Sequence, residues 1–310
     1  MPSRLFATQL AAKVEAAEGT KETLANTDAV LVSNIKFSPD IERAARDCLR
    51  GTLSRDPSVS GKQKATISFD VEMKGSGTAG TVPDYGKLIK GCGYSETISG
   101  GVSVTYKPAT NSLSNSMTLG IYMDGVIARI WGARGNVKGS MNNGKPGILS
   151  FEFQGAAFEA VDGALLAGVS YTTIIPPAFI NASLLLDAYA AICSKVDFDT
   201  ANALALRESI NAPSGFLSCL LTGRNPKGSM DPELPLVASY DFFGKWKTPA
   251  TLGSLSLAAT GAGGNIVTVS FPKVRYAKIA SQDRNGIRNL GLDFEACLSA
   301  GDDEISIVLT

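Results

Sequence analysis

The eight residues from Thr66 to Met73 read TISFDVEM, and every second one is apolar. Ile67, Phe69, Val71 and Met73 fall on one face of a strand, and Thr66, Ser68, Asp70 and Glu72 fall on the other. A strand with one wholly polar face belongs to an antiparallel sheet that is wet on one side. That pattern decides how the neighbouring glycines read. Gly75, Gly77 and Gly80 spell G-x-G-x-x-G, the fingerprint of a dinucleotide loop, with Glu96 about where a ribose-binding acid would sit. The strand ahead of such a loop is buried on both faces and reads as a continuous apolar run. Here it alternates instead. Thr81, Val82, Pro83 and Asp84 also separate the last glycine from the helix-like run, so no helix N-terminus points at the glycines. They read as a sharp turn at a strand end.

Composition narrows the chemistry further. The 310 residues include 29 Lys plus Arg and 29 Asp plus Glu, so the net charge is zero. A chain built to grip nucleic acid carries a basic surplus, because phosphate contacts supply most non-specific affinity. There is no histidine, which removes the commonest general base and metal ligand. The cysteines at 48, 92, 193, 219 and 297 have no C-x-x-C spacing and are odd in number, so they read as reduced thiols, with no metal site and no cofactor expected. No signal-peptide core or uninterrupted membrane span is visible, and no membrane partner is expected.

Strand signals dominate the rest. AVLVSNIKF (29–37) is β-rich, and ILSFEFQG (148–155) alternates as TISFDVEM does. The run SMTLGIYMDGVIARIWGARG predicts a hairpin turning at Asp124-Gly125. PDYGKLIKGCG reads as a short helix closed by Gly91 or Gly93. The polar segment from Asp40 to Lys64 is expected to hold a helical turn or two in DIERAARDCLR. Later strands are expected in FLSCLLTG, VASYDFF, LGSLSLAAT, NIVTVSF, RNLGLDFEACL and EISIVLT. TGRNPKGSMDPELP reads as a loop, and INASLLLDAYAAICSK as a helix or a strand pair. The pairs Asp197/Asp199 and Asp302/Asp303 with Glu304 read as solvated carboxylates, and Arg129, Arg134 and Lys138 as structural ion-pair partners. Trp131 and Trp246, with Tyr122 and Phe151, read as core or interface aromatics.

The two halves of the chain resemble one another. Val126 matches Ile266 at a shift of 140, and Leu149, Phe151 and Phe153 match Leu290, Leu292 and Phe294 at a shift of 141. Ile35-Lys36-Phe37 matches Val196-Asp197-Phe198 at a shift of 161. An internal duplication with domains at 1–165 and 166–310 follows as an expectation.

Taken in order, AAEGTKETLANTDAVLVSNIKFSP, KATISFDVEMKGSGTAGTVPDYGKLIKGCGY and YMDGVIARIWGARGNVKGSMNNGKPGILSFEFQGAAF resemble the tail tube proteins of long-tailed bacteriophages. The likeness covers roughly residues 10–160 directly and the second half through the repeat. It implies a mainly β fold: two tandem antiparallel β-sandwich or barrel domains of tail-tube type, each with a short flanking helix. It also implies a structural, non-enzymatic virion protein, made in the host bacterial cytoplasm, whose rings stack into the tube for DNA ejection. With two copies per chain, a trimer gives a pseudo-hexameric ring. Implied partners are further copies of the chain, the tape-measure, terminator and baseplate proteins, and double-stranded DNA in transient passage without tight binding. On that reading Ser68, Asp70 and Glu72 are lumen candidates, and Ile41, Leu49 and Leu53 belong to an inter-ring arm. The alternatives are another ring-forming tail component (a terminator or baseplate collar), a carbohydrate-binding β-sandwich, or a nucleotide enzyme using the glycine loop.

Overall fold

The computed structural model describes residues 4, 7–111, 115–248, 253–259 and 261–310. The first part of the chain forms β1 (Thr8–Val14), β2 (Ala29–Val30), β3 (Ser33–Ala44), β4 (Val59–Glu72), α1 (Gly86–Gly91), β5 (Tyr94–Ser99), β6 (Ser103–Pro108), β7 (Met117–Met123), β8 (Gly125–Asn142), β9 (Ile148–Gly155) and β10 (Ala157–Gly163). The second forms β11 (Ser183–Leu186), β12 (Tyr189–Ala190), β13 (Lys195–Asp199), β14 (Asn202–Glu208), β15 (Phe216–Arg224), β16 (Lys227–Met230), α2 (Phe242–Lys247), β17 (Gly253–Ala258), β18 (Val267–Arg284), β19 (Ile287–Ala296) and β20 (Ser306–Leu309). The chain is mainly β, with two short helices, and every ladder between these strands is antiparallel.

Two long strands organise it. The first portion of β8 lies between β7 and β10, and its last portion lies between β9 and β13. Gly132 stands where it passes from one layer to the other, with φ +58, a conformation that excludes most side chains. β18 does the same: its start lies between β17 and β20, and its end pairs with β19. One sheet therefore runs β3–β4–β9–β8–β13–β16–β19–β18, passing residue 165 without a break. Smaller layers cover one side of it, built on β1, β7 and β10 and on β11, β17 and β20.

The core fills the space between these layers. The apolar face of β4 supplies Ile67, Phe69, Val71 and Met73, each at most 3 % exposed. Phe69 stacks on Phe151 and Phe153 of β9, its neighbour in the ladder. Burying such side chains contributes about 2 kcal/mol each, which fixes the strand's facing, since a one-residue slip would expose the whole set.

The Asp124-Gly125 turn forms as the sequence predicts, with Met123 opposite Val126 and Gly125 at φ +102. Three local expectations are corrected. DIERAARDCLR is not helical: β3 continues to Ala44 because Ile41, Arg43 and Ala44 find partners in Gln63, Ser60 and Val59. VASYDFF is not a strand. Asp241 accepts the Gly244 N–H at 2.7 Å and opens α2, while Tyr240 and Phe242 pack with Tyr189 and Tyr276. Lys227–Met230, expected in a loop, is a strand with ladders on both sides.

Candidate channel face and sheet edges

Ladder partners stand side by side on one face of a sheet. Starting from Asp70, one row crosses all eight strands: Ser33, Asp70, Ser150, Lys138, Asp199, Lys227, Glu295 and Arg275. Its charged members alternate in sign from end to end. A second row runs from Glu72 through Ile148, Ser140, Asp197, Ser229 and Asp293 to Lys278. Ser68 lies opposite Lys36 on one side and Glu152 on the other. The three lumen candidates thus share one polar face, and that face holds as many cations as carboxylates along its first row.

Three ion pairs and several neutral donors tie part of these charges down. Asp70 accepts from Asn34 Nδ2 at 2.7 Å and from Ser150 Oγ at 2.5 Å. Asp199 accepts from Asn136 Nδ2 at 2.8 Å and lies 3.3 Å from Lys138 Nζ. Burial works against that carboxylate, yet the donors from Asn136, the Ala201 N–H and Lys138 hold it below the usual range. Ser140 Oγ donates to Asp197 at 2.7 Å, and Lys195 Nζ pairs with the same carboxylate at 2.5 Å. Arg275 pairs with Glu295. Glu72 and Glu152 are exposed. The face is hollow: Lys138, Asp197, Asp199, Lys227, Asp293 and Glu295 line a concavity of about 590 Å³.

The sheet ends in two open edges. Beyond β3 no strand follows among the described residues, and the stretch Arg275–Arg284 of β18 has a ladder only with β19. The Asp40–Lys64 segment is a continuation of the β3–β4 hairpin. Ile41 lies on it, opposite Gln63 and 37 % exposed. Leu49 and Leu53 stand in the connecting loop, fully exposed, above an Arg50–Asp56 ion pair of 3.1 Å.

The glycine motif has another use. Gly75 N–H donates to Asn265 Oδ1 at 2.8 Å and Gly77 N–H to the Gly264 carbonyl at 3.0 Å. A Cβ on Gly75 would stand 2.0 Å from that carbonyl oxygen, so two loops, 190 residues apart, meet backbone to backbone. Glu96 is engaged by Tyr106 Oη at 2.8 Å and Lys90 Nζ at 3.3 Å. The Asp302–Glu304 cluster is not simply solvated. Thr110 and Arg224 hold the Asp302 carboxyl down to about 2, and Arg224 also reaches Glu304. Arg129 and Arg134 pair with Glu159 and Glu18. All five cysteines are free thiols, and burial raises those of Cys92, Cys193 and Cys219. No group of ligating side chains suited to a metal occurs among the described residues. No helix there is long and apolar enough to cross a membrane.

Lys138, Lys227, Asp293, Glu295 and Arg275 were not anticipated on this face. The alternation in ILSFEFQG, which places Ser150 and Glu152 beside Ser68 and Asp70, was the signal that the polar face extends past β4.

Among curated proteins none matches the sequence. The family described as phage tail tube protein matches residues 6–308, so the likeness reaches across the second half as well as the first. A mainly antiparallel chain with a broad sheet, open at both edges and matched over nearly its whole length, belongs to the phage tail tube protein family.

Proposed function

We propose that three copies of the chain join edge to edge into a closed ring, and that such rings stack into the tube through which phage DNA leaves the virion. The observation that carries this is the eight-stranded sheet with a hollow polar face and two open edges. Open edges invite further strands, and a heterologous joint that closes on itself removes them.

Size favours three. At ~4.8 Å per strand and ~40° tilt, 24 strands close at a backbone diameter of about 48 Å, whereas two copies would close at about 32 Å. Inward side chains narrow both, and only the wider ring leaves comfortable room for a double helix. Each chain would supply two copies of a tail-tube domain, one on either side of residue 165. Shared strand order supports this: β9 sits between β4 and β8 as β19 sits between β16 and β18.

Ser68, Asp70 and Glu72 would then face the channel, within a lattice of matched charges. A phosphate passing Lys138 or Arg275 meets a cation already neutralised by Asp199 or Glu295, so little counterion release is available to hold DNA. Leu49 and Leu53 on the extended hairpin would seat each ring on the next, with tape-measure protein inside and terminator and baseplate proteins at the ends. Electron microscopy of concentrated protein, with native mass measurement of dissociated rings, tests the reading. Stacked tubes built of three-chain rings are expected. Single rings that never stack would point to a terminator, and persistent monomers would reject the assembly altogether.

A further inference from the structure

The chain holds an internal joint that gives residue-level detail for the joints between chains. β8 and β13 belong to different halves yet pair directly: Lys138 with Asp199, Gly139 with Phe198, Ser140 with Asp197, Met141 with Val196 and Asn142 with Lys195. β18 and β3, the two open edges, correspond to β8 and β13, and the ladders fix that correspondence residue by residue. Gly139 faces Leu149 as Ser281 faces Leu290. Ile67 faces Phe153 as Gly228 faces Phe294, and across the next ladder Phe37 faces Ile67 as Phe198 faces Gly228. Ser281 therefore stands for Gly139 and Phe37 for Phe198. The bulge after Tyr276 makes the shift one residue larger here than at Gly135 and Tyr276, which face Phe153 and Phe294.

Resting on the ring proposed above, we infer that β18 of one chain pairs antiparallel with β3 of the next in the register of the internal joint: Ala280 opposite Ser38, Ser281 opposite Phe37, Gln282 opposite Lys36, Asp283 opposite Ile35 and Arg284 opposite Asn34. The partner is a second copy of this chain. One feature of the edges shortens this joint and another agrees with its register. Pro39 stands just past the last pair, in the place of Thr200, whose N–H donates to the Val137 carbonyl at 3.1 Å inside the chain; having no amide hydrogen, Pro39 makes the joint between chains one bond shorter than the internal one. Continuing by two residues brings Lys278 opposite Asp40, a cation facing a carboxylate that is 66 % exposed and only 3.6 Å from Lys64 within its own chain. Slipping the register by two toward the start of β3 would put Lys278 opposite Ser38 and lose that complement, whereas a slip the other way would put it opposite Glu42, so the complement excludes only the first slip.

Gln282 and Lys36 correspond to Ser140 and Asp197, which touch at 2.7 Å inside the chain. Both Gln282 and Lys36 are exposed, so replacing them leaves the core intact. The test uses assembled tubes in a Cys48→Ser background, carrying Lys36→Cys with Gln282→Cys and treated with a short thiol crosslinker. The comparison pair is Lys36→Cys with Ala280→Cys, and Ser140→Cys with Asp197→Cys serves as the intramolecular control. The expected result is covalent species of two and three chains from the first pair, at least tenfold more than from the comparison pair. Stronger crosslinking of the comparison pair would overturn the register while leaving the ring standing. Tubes that form but crosslink through neither pair would overturn the edge joint. Covalent species larger than three chains would reject the three-chain ring, and failure of the unsubstituted chain to form rings would reject the underlying function rather than the register.

Discussion

Reversing Glu72 and Glu152 to lysine tests whether the polar face lines a passage for DNA. Both carboxylates are exposed on that face, while their chain neighbours Val71, Phe151 and Phe153 point into the core, so the variant should fold and assemble. Each substitution changes the charge by two units, giving four per chain and about twelve per ring of three, with six new ammonium groups exposed to the channel. If those six engage six phosphates, the logarithm of affinity should fall with the logarithm of salt at a slope of about −5. Between about 50 and 200 mM salt that is roughly a thousandfold loss of binding. Tubes would be incubated with short DNA duplexes at both salts and pelleted, and the retained DNA measured. The parent should retain little at either salt, because Lys138, Lys227 and Arg275 stand opposite carboxylates. The double variant should retain DNA at low salt and release it at high salt. Retention by the parent equal to the variant's, or retention by the variant that ignores salt, would refute the matched-charge lining.

Four further outcomes follow from contacts elsewhere. Gly75→Ala forces a methyl to within 2.0 Å of the Gly264 carbonyl and should cost about 2–3 kcal/mol, read as a lowered melting temperature; an unchanged one would disprove the close approach. Glu15 is buried and accepts from the Gly19 and Gly132 amides, Ser116 and Thr118 at 2.7–3.0 Å, so Glu15→Gln, which turns an amide NH₂ toward donors, should cost about 1–3 kcal/mol in denaturant unfolding. Asp302 has its folded pKa lowered to about 2, so its contribution is present above the unfolded value of about 4 and lost as pH falls from there toward 2. Because its side chain is 41 % exposed, solvent screening limits that contribution to about 1 kcal/mol, and the stability gap between parent and Asp302→Asn should close over that window in acid unfolding curves. Deleting residues 46–58 should leave far-UV circular dichroism unchanged and abolish tube growth; tubes of normal length would remove the arm from inter-ring contact.

The strands that the sequence made legible are those whose pattern is local. TISFDVEM and ILSFEFQG alternate strictly, and the Asp124-Gly125 pair marks its own turn, so facing and turn position follow without knowing the partners. Where the partner decides, the pattern misled. Ile41 to Ala44 has helix-compatible spacing but is captured by Gln63 to Val59 across the hairpin. Lys227–Met230 has no alternation to read, and its Gly228 is small because Phe294 and the Asp197 carbonyl press on it from the flanking strands. The polar face was half legible for the same reason. Asp70 and Glu72 declare their side within one strand, but the cations that balance them come from β8, β16 and β18, and only the ladder registers bring them into the same rows.

The β8–β13 ladder has a consequence for how an assembly of this chain would start. Three of its six domain seams would be closed before any two molecules meet, at an effective concentration set by the roughly fifty residues between the paired strands rather than by the cell. Ring closure becomes a three-body encounter, less sensitive to dilution than a six-body one. Tethering also frees the two kinds of seam to diverge: the internal one can be strong at no risk of premature polymers, while the external one must stay weak enough in free monomers to wait for the growing tail.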